Sequence, residues 1–270
     1  MFKTASWLKK NINNKNIKII DASWYLPNSK RDNFKEYKFS CIPKAIFFDI
    51  DKICDKNTSL PHMVPSSRYF ESEVSKLGIS RENIIIVYCK EGLLSSPRVW
   101  WLFKYFGHKK IFVLNGGFKA WRLSNGRISK GRINLLKNNY KCSRLRDVYL
   151  INYNSLILKL KDISTKVIDA RPRERFLELE PEPRNNIGKG KIKNSINLPF
   201  NIFDINGYIR SKNSLRKILN EVIKSNKFLI CSCGSGVSAC VIGIALHSIG
   251  NKNWCIYDGS WTEFFLKSTD

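Results

Sequence analysis

The sequence predicts an α/β protein of two tandem domains, each a small, mainly parallel sheet covered by helices on both faces. Three observations predict it. The two halves of the 270 residues echo each other at an offset of about 145 residues, the mark of an internal duplication. Within each half, short apolar runs alternate with longer helix-like segments, as in a layered α/β unit. The apolar runs end in Asp or Cys before a turn, as expected where a buried parallel strand meets its loop. The expected division is a domain over 1–130, a linker over 131–148 and a second domain over 149–270.

The landmarks recur in order. Ile19-Ile20-Asp21-Ala22-Ser23 matches Val167-Ile168-Asp169-Ala170-Arg171 as a strand running into a loop. Asn83 to Cys89 matches Lys227 to Cys233, and a glycine follows each final cysteine, at Gly92 and Gly236. Apolar helices follow from Ser96 and from Ala239, stopped by Gly107 and Gly250. Pro97 suits a first helical turn. Leu114-Asn115-Gly116-Gly117-Phe118 and Tyr257-Asp258-Gly259-Ser260-Trp261 close the halves as strand, glycine turn and aromatic helix start. The 131–148 stretch is polar, basic and without periodicity, hence a linker.

Lys and Arg total 47 against 22 Asp and Glu, a net charge of +25. These residues are scattered rather than interleaved with aromatics, so the charge reads as a solvated, lysine-rich surface, and neither nucleic acid nor membrane is expected as a partner. No run reaches the roughly 18 apolar residues that span a bilayer, and the amino end lacks a secretory apolar stretch. Eight dispersed cysteines suit free thiols in a reducing compartment, and a cytoplasmic location is expected. Cys231 and Cys233 lack a second Cys or His pair to complete a tetrahedral zinc site, so no metal is expected.

The loop Cys233-Gly234-Ser235-Gly236-Val237-Ser238 carries the chemistry. It follows a strand at the carboxyl edge of a parallel sheet, where ligands gather. Gly234 and Gly236 let the chain curl so that successive amides point at one atom, the Cys233 sulfur. A helix amino end near Ser238 adds to this, and the thiolate is favoured over the thiol. A persulfide or an oxyanion would be held by the same donors. The competing reading is a buried cysteine in an ordinary glycine turn.

Six ordered stretches change that balance: the Cys233 loop, Phe47 to Asp51, Leu60 to Pro65, Ser96 to Trp101, Arg175-Phe176 with Pro181-Glu182-Pro183-Arg184, and Tyr257 to Trp261. Through them the sequence resembles the rhodanese family, and within it the 3-mercaptopyruvate sulfurtransferases, over nearly its full length. The resemblance implies two tandem rhodanese-like domains, with the nucleophile in the second and a diverged duplicate closing over it. It implies that Cys233 takes sulfur from 3-mercaptopyruvate as a persulfide, releases pyruvate and passes the sulfur to cyanide or a thiol such as thioredoxin or a small dithiol, with no cofactor. It further implies that Arg175 and Arg184 bind the donor's carboxylate and ketone oxygens, a task for which guanidinium forks are suited. Gly234, Gly236, Val237 and Ser238 would line the same site, and Asp51 and His62 would be polar partners of Ser235.

Thiosulfate is the alternative donor. Relatives that prefer it carry basic residues just after the cysteine, whereas Gly234 and Ser235 are neutral. A non-catalytic binding module is the rival class, against which Cys233 itself argues. Phosphatase or arsenate chemistry calls for a longer loop ending in Arg, absent here. Three departures stand out. Lys189 to Ser195 and Cys41 to Ala45 replace the family's glycine-containing turns, which are expected to be looser. Glu178 replaces a glycine beside the arginine pair, where a carboxylate would weaken anion binding. Cys89 stands at the duplicate's counterpart of Cys233, in a loop lacking the second glycine and read as degenerate. His247, inside an apolar helix, is assigned no chemistry.

Overall fold

A computed structural model describes residues 1–131, 136–143 and 150–269. The first half runs β1 (Phe2–Lys3), α1 (Ala5–Asn11), β2 (Ile17–Asp21), α2 (Asn33–Phe39), β3 (Ala45–Phe47), α3 (Ser67–Lys76), β4 (Ile84–Tyr88), α4 (Ser96–Tyr105), β5 (Ile111–Leu114) and α5 (Gly117–Leu123). The second runs β6 (Leu150–Ile151), α6 (Tyr153–Lys159), β7 (Thr165–Asp169), α7 (Arg173–Phe176), β8 (Ile196–Asn197), β9 (Asp204–Ile205), β10 (Tyr208–Ile209), α8 (Lys212–Ser225), β11 (Phe228–Ser232), α9 (Ala239–Ser248), β12 (Trp254–Tyr257) and α10 (Ser260–Thr269).

Each half holds a five-stranded parallel sheet, and the two strand orders correspond: β1-β5-β4-β2-β3 and β6-β12-β11-β7-β8. The duplication extends to single hydrogen bonds. The Ala22 amide donates to Tyr88 O and the Ala170 amide to Ser232 O, both at 2.8 Å, at the same corner of the two sheets. Phe118 N donates to Cys89 O at 3.1 Å, as Trp261 N does to Cys233 O at 2.9 Å.

Strand alternation splits each sheet's apolar residues between two faces. Ile17, Ile19, Ile86 and Tyr88 pack with Leu8, Tyr37, Phe118 and Trp121, which places α1, α2 and α5 on one face. The opposite-pointing Ile85 and Val87 are equally buried, beneath α4, whose Phe103 and following Phe106 pack on Phe70 of α3. In the second sheet Val167, Ile230 and Tyr257 pack with Leu156 and Trp261 of α6 and α10, while α9 covers β11 and β12 from the other side.

The chain divides into two compact units, one of Met1–Lys56, Val64–Arg146 and Asn206–Tyr208, the other of Asn57–Met63, Asp147–Ile205 and Ile209–Asp270. The segment Asn57–Met63, and His62 with it, thus belongs to the second unit. Of the 131–148 stretch assigned to a linker, 132–135 and 144–148 lie outside the described residues. Its described part holds the fully buried Tyr140, whose amide donates to Ser75 Oγ at 2.9 Å and whose ring stacks on His108.

The two turns expected to be looser are closed. Ala45 N donates to Ile42 O at 3.0 Å and Ser195 N to Ile192 O at 3.1 Å, with Lys44 and Asn194 in the left-handed region at φ 66° and 60°. Asn tolerates that region well and Lys less so, yet both turns close. Among the described residues no helix is long and apolar enough to cross a membrane, and all eight cysteines are free.

Candidate active site

Strand β11, buried in the middle of its sheet, delivers Cys233 to the carboxyl edge, and the chain then turns through Gly236, at φ 76°, into α9. Ser238 is the N-cap residue of α9 but makes no side-chain cap. Cys233 is 2% exposed. The amides of Gly234, Ser235, Val237 and Ser238 donate to no described residue, so the loop presents unsatisfied donors at a helix amino end, an arrangement that holds anions.

The other two amides differ from expectation. Cys233 N and Gly236 N do not aim at the sulfur but donate to Ser260 Oγ, each at 3.1 Å. Ser260 Oγ lies 4.0 Å from Cys233 Sγ and 2.9 Å from Tyr257 O. Thr262 closes the clamp, its amide and hydroxyl donating to Gly234 O at 3.0 and 2.7 Å. Ser260 was legible only as part of a matching motif. Its role follows from a hydroxyl placed by the β12–α10 turn, which no sequence spacing reveals.

His62 meets Ser235. Its Nδ1 lies 3.1 Å from Ser235 Oγ and 3.3 Å from Ser235 O. His62 is 3% exposed and sits at φ 63°, an unusual backbone for a non-glycine residue and one that clusters at functional sites. Asp51 belongs to the other unit, where its carboxylate accepts the Trp24 indole N–H at 3.1 and 3.2 Å.

Arg175, in the single turn of α7, reaches the Cys233 loop. A Cβ on Gly234 would stand 2.9 Å from Arg175 Nη2, so glycine is what lets the guanidinium lie against the loop. Arg184 lies in a partly exposed bend two residues past Glu182. Two charged groups were missed. Arg171 is buried and donates to both carboxylate oxygens of Asp169, to Gly190 O and to Glu182 Oε1. Burial works against its charge, but Asp169 and Glu182 overcome this and hold the guanidinium above its ordinary range. Glu182 Oε2 pairs with Arg175 Nη2. Arg171 occupies the position where the first half has Ser23, a contrast visible in the repeat.

Glu178 is a correction. Its carboxylate pairs with Lys191 Nζ at 3.7 Å and is 47% exposed, so the acid on Arg175 is Glu182. Glu178 instead matters for its backbone. Leu179 N donates to Glu174 O at 2.8 Å and Glu178 N to Arg175 O at 3.2 Å, a Schellman end to α7 with Glu178 at φ 66°. Cys89 Sγ donates to Glu91 O and Gly92 O at 3.4 and 3.3 Å, and the first-half loop meets an arginine and acid cluster of its own, in which Arg31 pairs with Glu91 and, at 2.7 Å, with Glu36. His247 packs edge-on against Trp254.

A duplicated α/β fold with a glycine-bracketed cysteine loop at a helix amino end, flanked by a buried arginine and a hydroxyl–imidazole pair, defines a protein built for nucleophilic sulfur chemistry. The family profile of the Rhodanese-like domain matches residues 4–124 and 153–267. The thiosulfate/3-mercaptopyruvate sulfurtransferase 1, mitochondrial, of Arabidopsis thaliana is 36% identical, covering 97% of this chain and 75% of its own. The 3-mercaptopyruvate sulfurtransferase of Rattus norvegicus is 35% identical, covering 93% of this chain and 86% of its own. The crystal structure of SseA from Escherichia coli, described as a 3-mercaptopyruvate sulfotransferase of rhodanese fold, superposes with a TM-score of 0.87 at 30% identity, covering 96% of this chain and 98% of that one. The chain belongs to the rhodanese family, with two rhodanese-like domains.

Proposed function

We propose that the protein is a sulfurtransferase that takes sulfur from 3-mercaptopyruvate onto Cys233 and releases pyruvate. The observation that carries this reading is the convergence of Arg175 on Gly234 and of His62 on Ser235, the two residues that follow Cys233. An α-keto acid needs a cation for its carboxylate and a proton donor for the enolate it leaves behind, and these two contacts supply both roles.

The Cys233 thiolate attacks the thiol sulfur of the donor. The carbon–sulfur bond breaks, its electron pair passes into the carbonyl as an enolate, and Cys233 keeps the sulfur as a persulfide. The donor's thiol proton balances the step by reaching the methylene carbon, which completes pyruvate. Ser235, backed by His62, relays that proton, while Arg175 and Arg184 hold the carboxylate and the developing oxyanion. The free amides of the loop and the start of α9 stabilise first the thiolate and then the persulfide. A thiol acceptor such as thioredoxin or a small dithiol, or cyanide, then removes the sulfur. The free cysteines suit a reducing compartment, and cytoplasmic residence is part of this reading.

Thiosulfate is the second donor, which the Arabidopsis relative's name includes. Its double charge calls for more compensation than the neutral Gly234 and Ser235 provide. Pyruvate release from 3-mercaptopyruvate is to be compared with turnover of thiosulfate by the same preparation. The keto acid is expected to give the higher kcat/KM, and a clear preference for thiosulfate overturns the donor assignment.

A further inference from the structure

We propose that Glu182 is a positioning residue for the donor: it grips one edge of the Arg175 guanidinium and thereby presents the other edge to the substrate carboxylate. The inference rests on the reading of Arg175 as the carboxylate-binding group and adds the residue that fixes its aim.

The geometry begins at the end of β7. Asp169 holds Arg171 through three hydrogen bonds of 2.8–3.1 Å and also accepts the Arg171 amide at 2.9 Å. Gly190 O takes a further N–H at 2.9 Å, and Arg171 Nη1 reaches Glu182 Oε1 at 2.6 Å. Arg171 is thus immobile, 1% exposed, and already neutralised by Asp169 before Glu182 is counted. If Glu182 served only as a counterion for Arg171, its second oxygen would not be needed elsewhere. That oxygen, Oε2, instead takes Arg175 Nη2, and Arg175 Nε lies 3.4 Å from Oε1. The carboxylate therefore docks against the Nε–Nη2 edge of Arg175, the two-pronged match that guanidinium and carboxylate favour.

What remains of Arg175 points to a ligand. The residue is 9% exposed, and its Nη1 donates to no described residue. A guanidinium held on one edge, with its remaining nitrogen open to solvent beside the nucleophile's loop, can exchange water for a ligand's oxygen. The relay from Asp169 through Arg171 and Glu182 holds that nitrogen in place, at a site where a shift of one ångström changes rates by orders of magnitude. The four charges of the relay sum to zero, so what the relay contributes to an incoming carboxylate is the aim of Arg175 more than net charge. The first half has Ser23 in place of Arg171, so its corner lacks the anchor of this relay.

The test is a double-mutant cycle with Glu182→Gln and Arg175→Ala, assayed by pyruvate release from 3-mercaptopyruvate in the full chain. Glu182→Gln alone is expected to raise KM about tenfold or more while lowering kcat less than about threefold. In the Arg175→Ala background the same change is expected to alter kcat/KM less than about twofold, because its effect runs through Arg175. Glu182→Asp, which keeps the charge on a shorter arm, is expected to recover part of the loss, and it serves as the reading variant should Glu182→Gln fail to fold by thermal melting. A KM within about twofold of wild type in the folded variant, or effects that multiply independently across the cycle, overturns the proposal. Failure of the wild-type chain to release pyruvate would instead defeat the sulfurtransferase reading, so the two failures are separable.

Discussion

The hydroxyl of Ser260 accepts the backbone N–H of Cys233 at 3.1 Å from a residue held at φ 51°. In the duplicate the corresponding residue is Gly117, at φ 53°, the type that this backbone favours. The second half keeps a side chain where a left-handed backbone disfavours one, by about 1 kcal/mol, and that side chain also takes the Gly236 amide. Ser260→Ala keeps the strain and loses the acceptor, so it is expected to be less stable than Ser260→Gly by about 1 kcal/mol. Both variants are expected to load sulfur onto Cys233 about tenfold more slowly, two buried amides having lost a partner worth 1–3 kcal/mol each, roughly. Thermal melting and single-turnover loading check this, and a Ser260→Gly variant that loads like wild type contradicts it.

Gly234→Ala places a methyl 2.9 Å from Arg175 Nη2. A free arginine would swing away, but Glu182 pins this one. Steady-state assays are expected to show KM for 3-mercaptopyruvate rising about tenfold with a smaller change in kcat.

His108 links stability to pH in the first unit. Burial, reinforced by Arg81 and Lys104 and opposed by the Asn83 carbonyl that its ring N–H meets at 3.0 Å, pushes its pKa down to about 4. Its other ring nitrogen faces Tyr140 Oη at 3.3 Å. The folded value lies below the unfolded one, near 6.5, so the unfolded chain binds the proton more tightly. The stabilisation is full above pH 6.5 and is lost as pH falls towards 4, by about 3 kcal/mol in all. His108→Gln is expected to flatten denaturant-derived stability across that window, and an unchanged slope refutes the assignment.

Glu178→Gly supplies the residue that a left-handed helix end favours, and it removes only a half-exposed ion pair with Lys191. Exposed pairs contribute little, so the variant is expected to gain about 1 kcal/mol of stability with turnover unchanged.

Much of this was legible in the sequence because the duplication displays it twice. Strands ending at Asp21 and Asp169, the helices from Ser96 and Ala239, and the Cys233 loop all carry apolar periodicity or glycine punctuation. Less was visible where elements are short or where contacts are distant. The two-residue strands Phe2–Lys3, Leu150–Ile151 and Ile196–Asn197 are below any period. The amphipathic helix Lys212–Ser225 has a regular apolar stripe at Leu215, Leu219 and Val222, and it stands where the first half has the shorter helix Ser67–Lys76, whose sequence shares no landmark with it. Among the site residues, His62 and Arg175 were reached through resemblance, and the structure sets both against the Cys233 loop. Ser260, Arg171 and Glu182 act through side-chain contacts made 27, 2 and 7 residues away in sequence, and only folded geometry sorts these from ordinary turns and ion pairs.

The central claim is that Cys233 carries the sulfur. Intact mass spectrometry after incubation with 3-mercaptopyruvate, before and after a small dithiol, tests it in wild type and Cys233→Ser. Wild type is expected to gain one sulfur atom and to lose it to the dithiol, with pyruvate formed in equal amount, and Cys233→Ser is expected to gain none. A sulfur adduct that persists in Cys233→Ser, or pyruvate release by wild type with no adduct at Cys233, would contradict it.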